Sequence, residues 1–475
     1  YVFGQNRHRD AYDHDGDGYS EMPKLKNQTV GFRSFLKTST YSKLTFEYHH
    51  LQEFRRGGNM LNRPPHEADI AEQIQHSING GGLKFDYFAP NEKHRLTLYT
   101  SAQHTDRDSY YGSKKDLNAY GKTTDLTFIG GSQYVYSFDK CLFMPADLTA
   151  GLEYNRDNLK DDMWGYNRYT RQTVNIGSAF FQNEWKNEKW SILLGGRLDK
   201  HNLINHVIFS PRANLRFNPT QDVNLRLSYS SGFRAPQAFD EDLHIENVGG
   251  TVSMIERAKN LKEEKSQSFS ASADMYHRFG AFQVNFLVEG FYTKLSDVFV
   301  LENIGVRDGI LIKERRNGSG AKVLGLSMEG KMAYLSLFQL QAGVTLQQSR
   351  YDEPEKWSET APAQKKIFRT PNTYGYFTAT YTPVKPLSVS LSGTYTGSML
   401  VQHMAGYIKN DIAVNTRDFF DMGVKLAYDF KLYKTIDLQL SAGVQNVFNA
   451  YQNDFDQGVE RDLSLIHISE PTRPR

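Results

Sequence analysis

Polar and apolar positions alternate along much of this chain. In 387–396, Leu387, Val389, Leu391 and Tyr395 fall on one side, with Ser388, Ser390, Ser392 and Thr394 on the other. In 338–347, Leu340, Ala342 and Val344 alternate with Gln339, Gln341 and Thr345. The same rhythm recurs at Phe282, Val284 and Phe286, and at Ile436, Leu438 and Leu440. A period of two predicts strands with one apolar and one polar face. Short polar turns such as "NEK" (187–189), "NPTQ" (218–221) and "TPVKP" (382–386) separate some of these segments. Long polar stretches separate the others, at 57–72, 105–121, 157–171, 232–265, 298–322, 350–368 and 400–414. About nine hairpins, hence about eighteen strands, are more than an open sheet usually holds. Long strands with short turns at one end and long loops at the other predict an antiparallel transmembrane β-barrel. Lipid admits strands only where closure removes their edges, which accounts for the unbroken series of hairpins. Ser388, Ser390, Ser392, Gln339 and Gln341 are expected to face the lumen. Leu387, Val389, Leu391, Leu340 and Val344 are expected to face lipid. Tyr229, Tyr292, Tyr381, Tyr395 and Tyr428 suit interfacial aromatic girdles. A soluble propeller would carry a blade repeat of about forty residues, and none is visible.

Composition narrows the class. With 475 residues and a net charge of only +2, the chain offers no basic face for nucleic acid. No apolar run approaches the roughly 18 residues that a membrane helix needs. Aromatic residues make up 13% and are mostly Tyr and Phe, which suits strands. Cys141 is the single cysteine, so it has no disulfide partner within the chain and no cysteine-based zinc site forms. The sequence opens on Tyr1 with neither an initiating Met nor a signal region, as expected of a processed or partial chain.

One stretch, "YSSGFRAPQAFDEDLHIENVGG" (229–250), ends a strand at a proline and runs into a long polar excursion. It resembles the TonB-dependent outer-membrane receptors, whose barrels carry a strand ending in GFRAP before an extracellular loop. "GGRLDKH" (195–201), "FSPRANLRFNP" (209–219), "NLKEEKSQSF" (260–269) and "GVQNVFNAYQNDFD" (443–456) resemble the same family in the same order, although the Asn–Leu spacing in the third is tighter than usual. The resemblance spans most of 25–462. It implies an all-β, 22-stranded barrel, incomplete here at about 18 strands, and a receptor importing a scarce bulky nutrient across the outer membrane. Cobalamin, a ferric siderophore and haem all remain open as that nutrient. It also implies coupling to the TonB complex through a plug domain, expected upstream of Tyr1. A passive porin-like channel and a barrel enzyme are the rival classes, but no nucleophile elbow, phosphate loop or paired-carboxylate signature accompanies the strands. The expected organisation is an extracellular loop at 1–24, the barrel at 25–462, and a non-native tail at 463–475. That tail, "LSLIHISEPTRPR", reads like a translated sequencing adapter and lacks alternation.

Three constellations carry candidate chemistry. "DHDGDGYSE" sets Asp13, Asp15, Asp17 and Glu21 at alternate positions around Gly16 and Gly18. Such carboxylates can converge on a hard cation, which makes calcium (Ca2+) the candidate cofactor and a solvated acidic turn the alternative, since Lys24 stands where an EF-hand needs its closing glutamate. "PPHEADIAEQIQH" (64–76) offers His66, Glu67, Asp69, Glu72 and His76, without the spacing that stacks two imidazoles on one helical turn. It reads as a structured loop at the barrel mouth. Arg55 and Arg56 end a strand at the same rim, where they are candidates to attract an anionic substrate.

Overall fold

The computed structural model describes residues 1–13, 16–243, 246–248, 251–405 and 407–451. Through them runs one sheet of twenty strands. Gln364–Lys366 is a short addition, and the remaining nineteen form the wall. Each wall strand pairs antiparallel with the next, from Val2–Arg9 beside Ser20–Ser39 to Phe419–Tyr433 beside Ile436–Val444. Among the described residues, the first and last of these strands each have one neighbour only.

Strict antiparallel pairing puts alternate connections at opposite ends. The tight turns at 40–41, 142–143, 221–222, 280–281, 385–386 and 434–435 share one end, and the connections at 59–69, 235–263, 297–320, 356–372 and 397–418 share the other. The polar excursion after Arg234 and the turn before Leu387 therefore lie at opposite ends, as the pattern of connection lengths predicts.

The register keeps the two faces apart. Leu340 sits opposite Ala379 and Ala379 opposite Leu391, while Gln341 sits opposite Thr378 and Thr378 opposite Ser392. On the polar face, Gln341 Nε2 donates to the Tyr376 hydroxyl at 3.0 Å. On the apolar face, Leu152, Leu194, Leu198, Leu227 and Phe286 are exposed, which in a membrane wall is the lipid contact. Aromatic rows bound that band. Phe269 pairs with Tyr292, and ten residues along, Phe279 pairs with Phe282. At about 3.3 Å per residue and a tilt near 40°, that separation is about 25 Å, the height of an apolar band.

Two boundaries differ from the sequence-based expectation. Residues 1–24 are not one loop: Val2–Arg9 is a wall strand and the next begins at Ser20, leaving 10–19 as the connection. Val2–Arg9 is also the strand beyond the expected eighteen. Residues 105–121 and 157–171 are mostly strand, with only 114–119 and 164–167 outside the ladder. Above the membrane neither face meets lipid, so "NRDNLKDDM" (155–163) has lost its alternation while keeping its pairing. Residues 463–475, expected as a non-native tail, lie outside the described residues.

Candidate substrate mouth

The wall is uneven at its long-loop end. Strands such as Tyr120–Cys141 and Met144–Met163 run 22 and 20 residues, against 12 for Val223–Arg234. Twenty residues span about 66 Å along the strand, roughly twice what the apolar band needs. One side of the barrel therefore rises well above the membrane. Its outer face is covered by the connections 59–69, 114–119 and 164–167, which bury Ala68, Tyr110 and Ala119 against Met60 and Tyr166. Tyr110 donates to the Asp116 carbonyl at 2.9 Å, and the Tyr166 hydroxyl donates to Asp116 Oδ2 at 2.6 Å. Burial raises both phenols above their ordinary range, and Asp116 adds to it.

The inner face of the raised wall receives the two longest loops. They build a small sheet in which Thr251–Arg257 runs parallel to Ile310–Asn317, with Phe299–Arg307 antiparallel beyond. Met254 and Ile312 from this lobe pack on Tyr111 and Met163 of the wall. The loops spring from the low side, so the lobe lies across the mouth. Leu159 of the wall meets Ala238 and Leu243 of the first loop.

Charge fixes the same contact. Asp161, 2% exposed, accepts from Arg168 Nη2 at 2.6 Å and from the Thr123 hydroxyl at 2.6 Å. Arg107 donates to Thr123 at 3.0 Å. Arg168 also donates to the Leu243 carbonyl at 2.8 Å, so the wall's ion pair reaches into the loop. Asp242 and Arg315 form a second buried pair at 2.6 Å. Gln172 is shared: its Oε1 accepts from the Ala238 amide and from Arg257 Nη1, each at 2.7 Å. No local sequence pattern marks these residues, because partners such as Gln172 and Arg257 lie on different strands far apart in the chain.

Below the lobe, the Asp125 and Asp157 carboxylates meet. The Oδ1 of each is buried without a hydrogen-bond partner. Burial, and then the adjacent Asp125 carboxylate, pushes Asp157 up to about 7. Deeper, the Tyr99 hydroxyl donates to Glu153 at 2.6 Å, Arg197 spans Glu153 and Asp199 at 2.8 Å each, and Ser178 donates to Asp199 at 2.6 Å.

The sequence-predicted candidates fare differently. Carboxylate oxygens of Asp13 and Asp17 in the connection 10–19 and of Glu21 at the start of the next strand lie within 4.8 Å of one another. Gly16 and Gly18 hold positive φ of 77° and 87°, which lets both amides turn back onto Asp13 at 2.7 and 2.9 Å. Asp15 lies outside the described residues. The 64–76 group does not converge. His66 Nδ1 meets the Tyr120 hydroxyl at 2.7 Å on the outer side, and Asp69 accepts from Asn59 at 2.8 Å. Glu72 and His76 belong to the strand Ile70–Phe88, away from the helical turn Pro65–Glu67 that carries His66. The rim arginines are not free for a substrate. Arg55 pairs with Glu53 at 2.7 Å, and Arg56, 1% exposed, donates to the carbonyls of Gly57 and Asn59.

Three solved structures share this architecture. The siderophore receptor PirA from Acinetobacter baumannii superposes with a TM-score of 0.72 at 15% identity, over 94% of this chain and 71% of that one. A mutant of the ferric enterobactin receptor PfeA from Pseudomonas aeruginosa gives 0.72 at 15% identity, over 94% and 69%. The ferric-catecholate import receptor Fiu from E. coli K12 gives 0.66 at 13%, over 96% and 74%. No curated protein matches the sequence. The family model of the TonB dependent receptor-like β-barrel matches residues 4–447, so this chain belongs to the TonB-dependent receptors and is a protein of the cell outer membrane.

Proposed function

We propose that the protein imports a ferric siderophore, with energy drawn from TonB through a plug domain of the longer receptor. The observation that carries this reading is the architecture: a wall of nineteen strands with a loop-built lobe across its mouth, which superposes on the siderophore receptor PirA, the ferric enterobactin receptor PfeA and the ferric-catecholate receptor Fiu. Calcium in the connection 10–19 is part of this proposal: three carboxylates that close repel unless a cation offsets them.

The test is uptake by cells carrying the complete gene or a deletion, starved in turn for iron and for cobalamin. Radioiron supplied as ferric catecholates, ferric hydroxamates or haem should enter the first cells and not the second for one siderophore class. Loss of cobalamin or haem uptake with siderophore uptake intact would overturn the assignment.

A further inference from the structure

A row of cations crosses the outer face of the wall just above its apolar band. Lys294 is the cross-strand partner of Lys322, Lys322 of Arg350, and Arg350 of Lys366. Their face follows from their neighbours. Alternation puts Lys294 on the side of Tyr292 and Phe286, Lys322 on that of Leu324 and Leu326, and Arg350 on that of Leu346. Phe286, Leu324, Leu326 and Leu346 are exposed on the lipid face. Lys366 comes from the short strand Gln364–Lys366, which folds the connection 356–372 back beside Arg350. All four cations lie at the long-loop end. Lys294 stands two residues beyond Tyr292, in the aromatic row that bounds the band, hence about 5 Å above it. The headgroups of the outer leaflet lie at that height.

Like charges directly opposite each other destabilise a sheet, and here the arrangement repeats across three successive strand pairs. All four side chains are exposed. Asp352 binds Lys322 at 2.8 Å and is attracted to Lys294 only at longer range. Among the described residues, Lys294, Arg350 and Lys366 make no side-chain hydrogen bond or ion pair. Other acids nearby are taken. Glu355, farther up the strand, accepts from the Ser319 amide and hydroxyl at 3.0 and 2.9 Å. Glu263 pairs with Lys265 at 3.1 Å. On the raised side of the wall, by contrast, Arg171 meets Asp162 at 2.5 Å. The row keeps a surplus of positive charge facing outward.

We propose that Lys294, Lys322, Arg350 and Lys366 dock the phosphate groups of an anionic outer-leaflet lipid against the outside of the barrel. Charge and height select this occupant. Cations at headgroup level, directly above an apolar band, match a molecule with acyl chains below and phosphates above. Arg350 supplies a planar fork for two phosphate oxygens, and the lysines act as point charges around it. Each such cation adds about fivefold to the affinity for an anionic membrane surface. The row lies outside the wall, so it depends neither on the substrate assigned above nor on anything seated in the lumen.

The test titrates the purified complete receptor, in dodecyl maltoside and chelator, with bisphosphorylated lipid A and counts bound lipid by native mass spectrometry. Lipid A stripped of both phosphates is the control. The variant combines Lys294→Gln, Arg350→Gln and Lys366→Gln, which leaves Lys322 paired with Asp352. The wild type should hold the phosphorylated lipid about tenfold or more tightly than the control, and the variant should lose most of that preference. Inorganic phosphate should displace the lipid no better than sodium chloride of the same ionic strength. Equal affinity of the wild type for both lipids, or an undiminished preference in the variant, would overturn the proposal. Specific displacement by inorganic phosphate would make the row a free-anion site and overturn the lipid assignment. Should the triple variant fail to assemble, Arg350→Gln alone should lower the preference about fivefold.

Discussion

Arg315 of the second long loop holds Asp242 of the first at 2.6 Å, with both side chains nearly excluded from solvent. The pair ties together two loops that leave the wall between different strands, and it does so where the lobe meets the raised wall. Removing one partner of a buried pair leaves an uncompensated charge, at a cost of about 3–5 kcal/mol. Arg315→Met or Asp242→Asn should therefore loosen the lobe without opening the barrel. On intact cells, an added protease should nick 235–263 several-fold faster in either single variant, and the double variant should recover part of the protection. Nicking at the wild-type rate in both singles would show that the apolar contact of Met254 and Ile312 holds the lobe alone.

Asp157 and Asp125 give the raised wall a pH dependence of known sign. An acid whose pKa rises on folding binds its proton more tightly in the folded state, so stability falls as pH climbs through the window between the two values. For Asp157 that window runs from the ordinary carboxylate range near 4 to about 7. The heat-modifiable transition should accordingly sit higher at pH 5.5 than at pH 8, and be flat above that. Asp157→Asn should remove this difference and raise the transition at pH 8. A variant with the full wild-type pH profile would assign the effect to other groups.

Much of this was legible in the sequence because lipid enforces a simple rule. Wherever the outer face meets hydrocarbon, as at Leu387, Val389 and Leu391, alternation survives and the strand is readable. Above the membrane the rule lapses. Asp157, Asp161 and Asp162 lie on a paired strand that looks like a loop, and Val2–Arg9 is too polar to stand out. The acidic connection was visible because Asp13, Asp17 and Glu21 are close in sequence as well as in space. The mouth was not. Its pairs join residues separated by long stretches, Arg168 to Leu243 and Asp242 to Arg315, and only the barrel's closure of those distances creates them.

The register between Gln341, Thr378 and Ser392 makes a sharp prediction about faces. A slip of one residue would turn every side chain over. Spin labels at Val389 and Leu391 should be accessible to lipid-soluble oxygen, and a label at Ser390 should not. High oxygen accessibility at Ser390 with protection at Val389 would reverse the assignment.

The connection 10–19 should bind calcium and stiffen when it does. Asp13 already spends both oxygens on the amides of Gly16 and Gly18, which sets the loop's curvature. Asp17 Oδ1 accepts from the Tyr19 amide at 2.9 Å, which puts a tyrosine two residues from this carboxylate. A lanthanide of similar size should therefore luminesce through tyrosine excitation. Terbium added to the complete receptor should give such a signal, calcium should compete it away, and Asp13→Ala with Asp17→Ala should abolish it. Calcium should also tighten substrate binding several-fold in the wild type by removing the ordering cost of a mouth loop, and leave the double variant unchanged. Terbium luminescence that survives the double substitution, together with equal substrate affinity in calcium and in chelator, would leave these acids as a solvated turn.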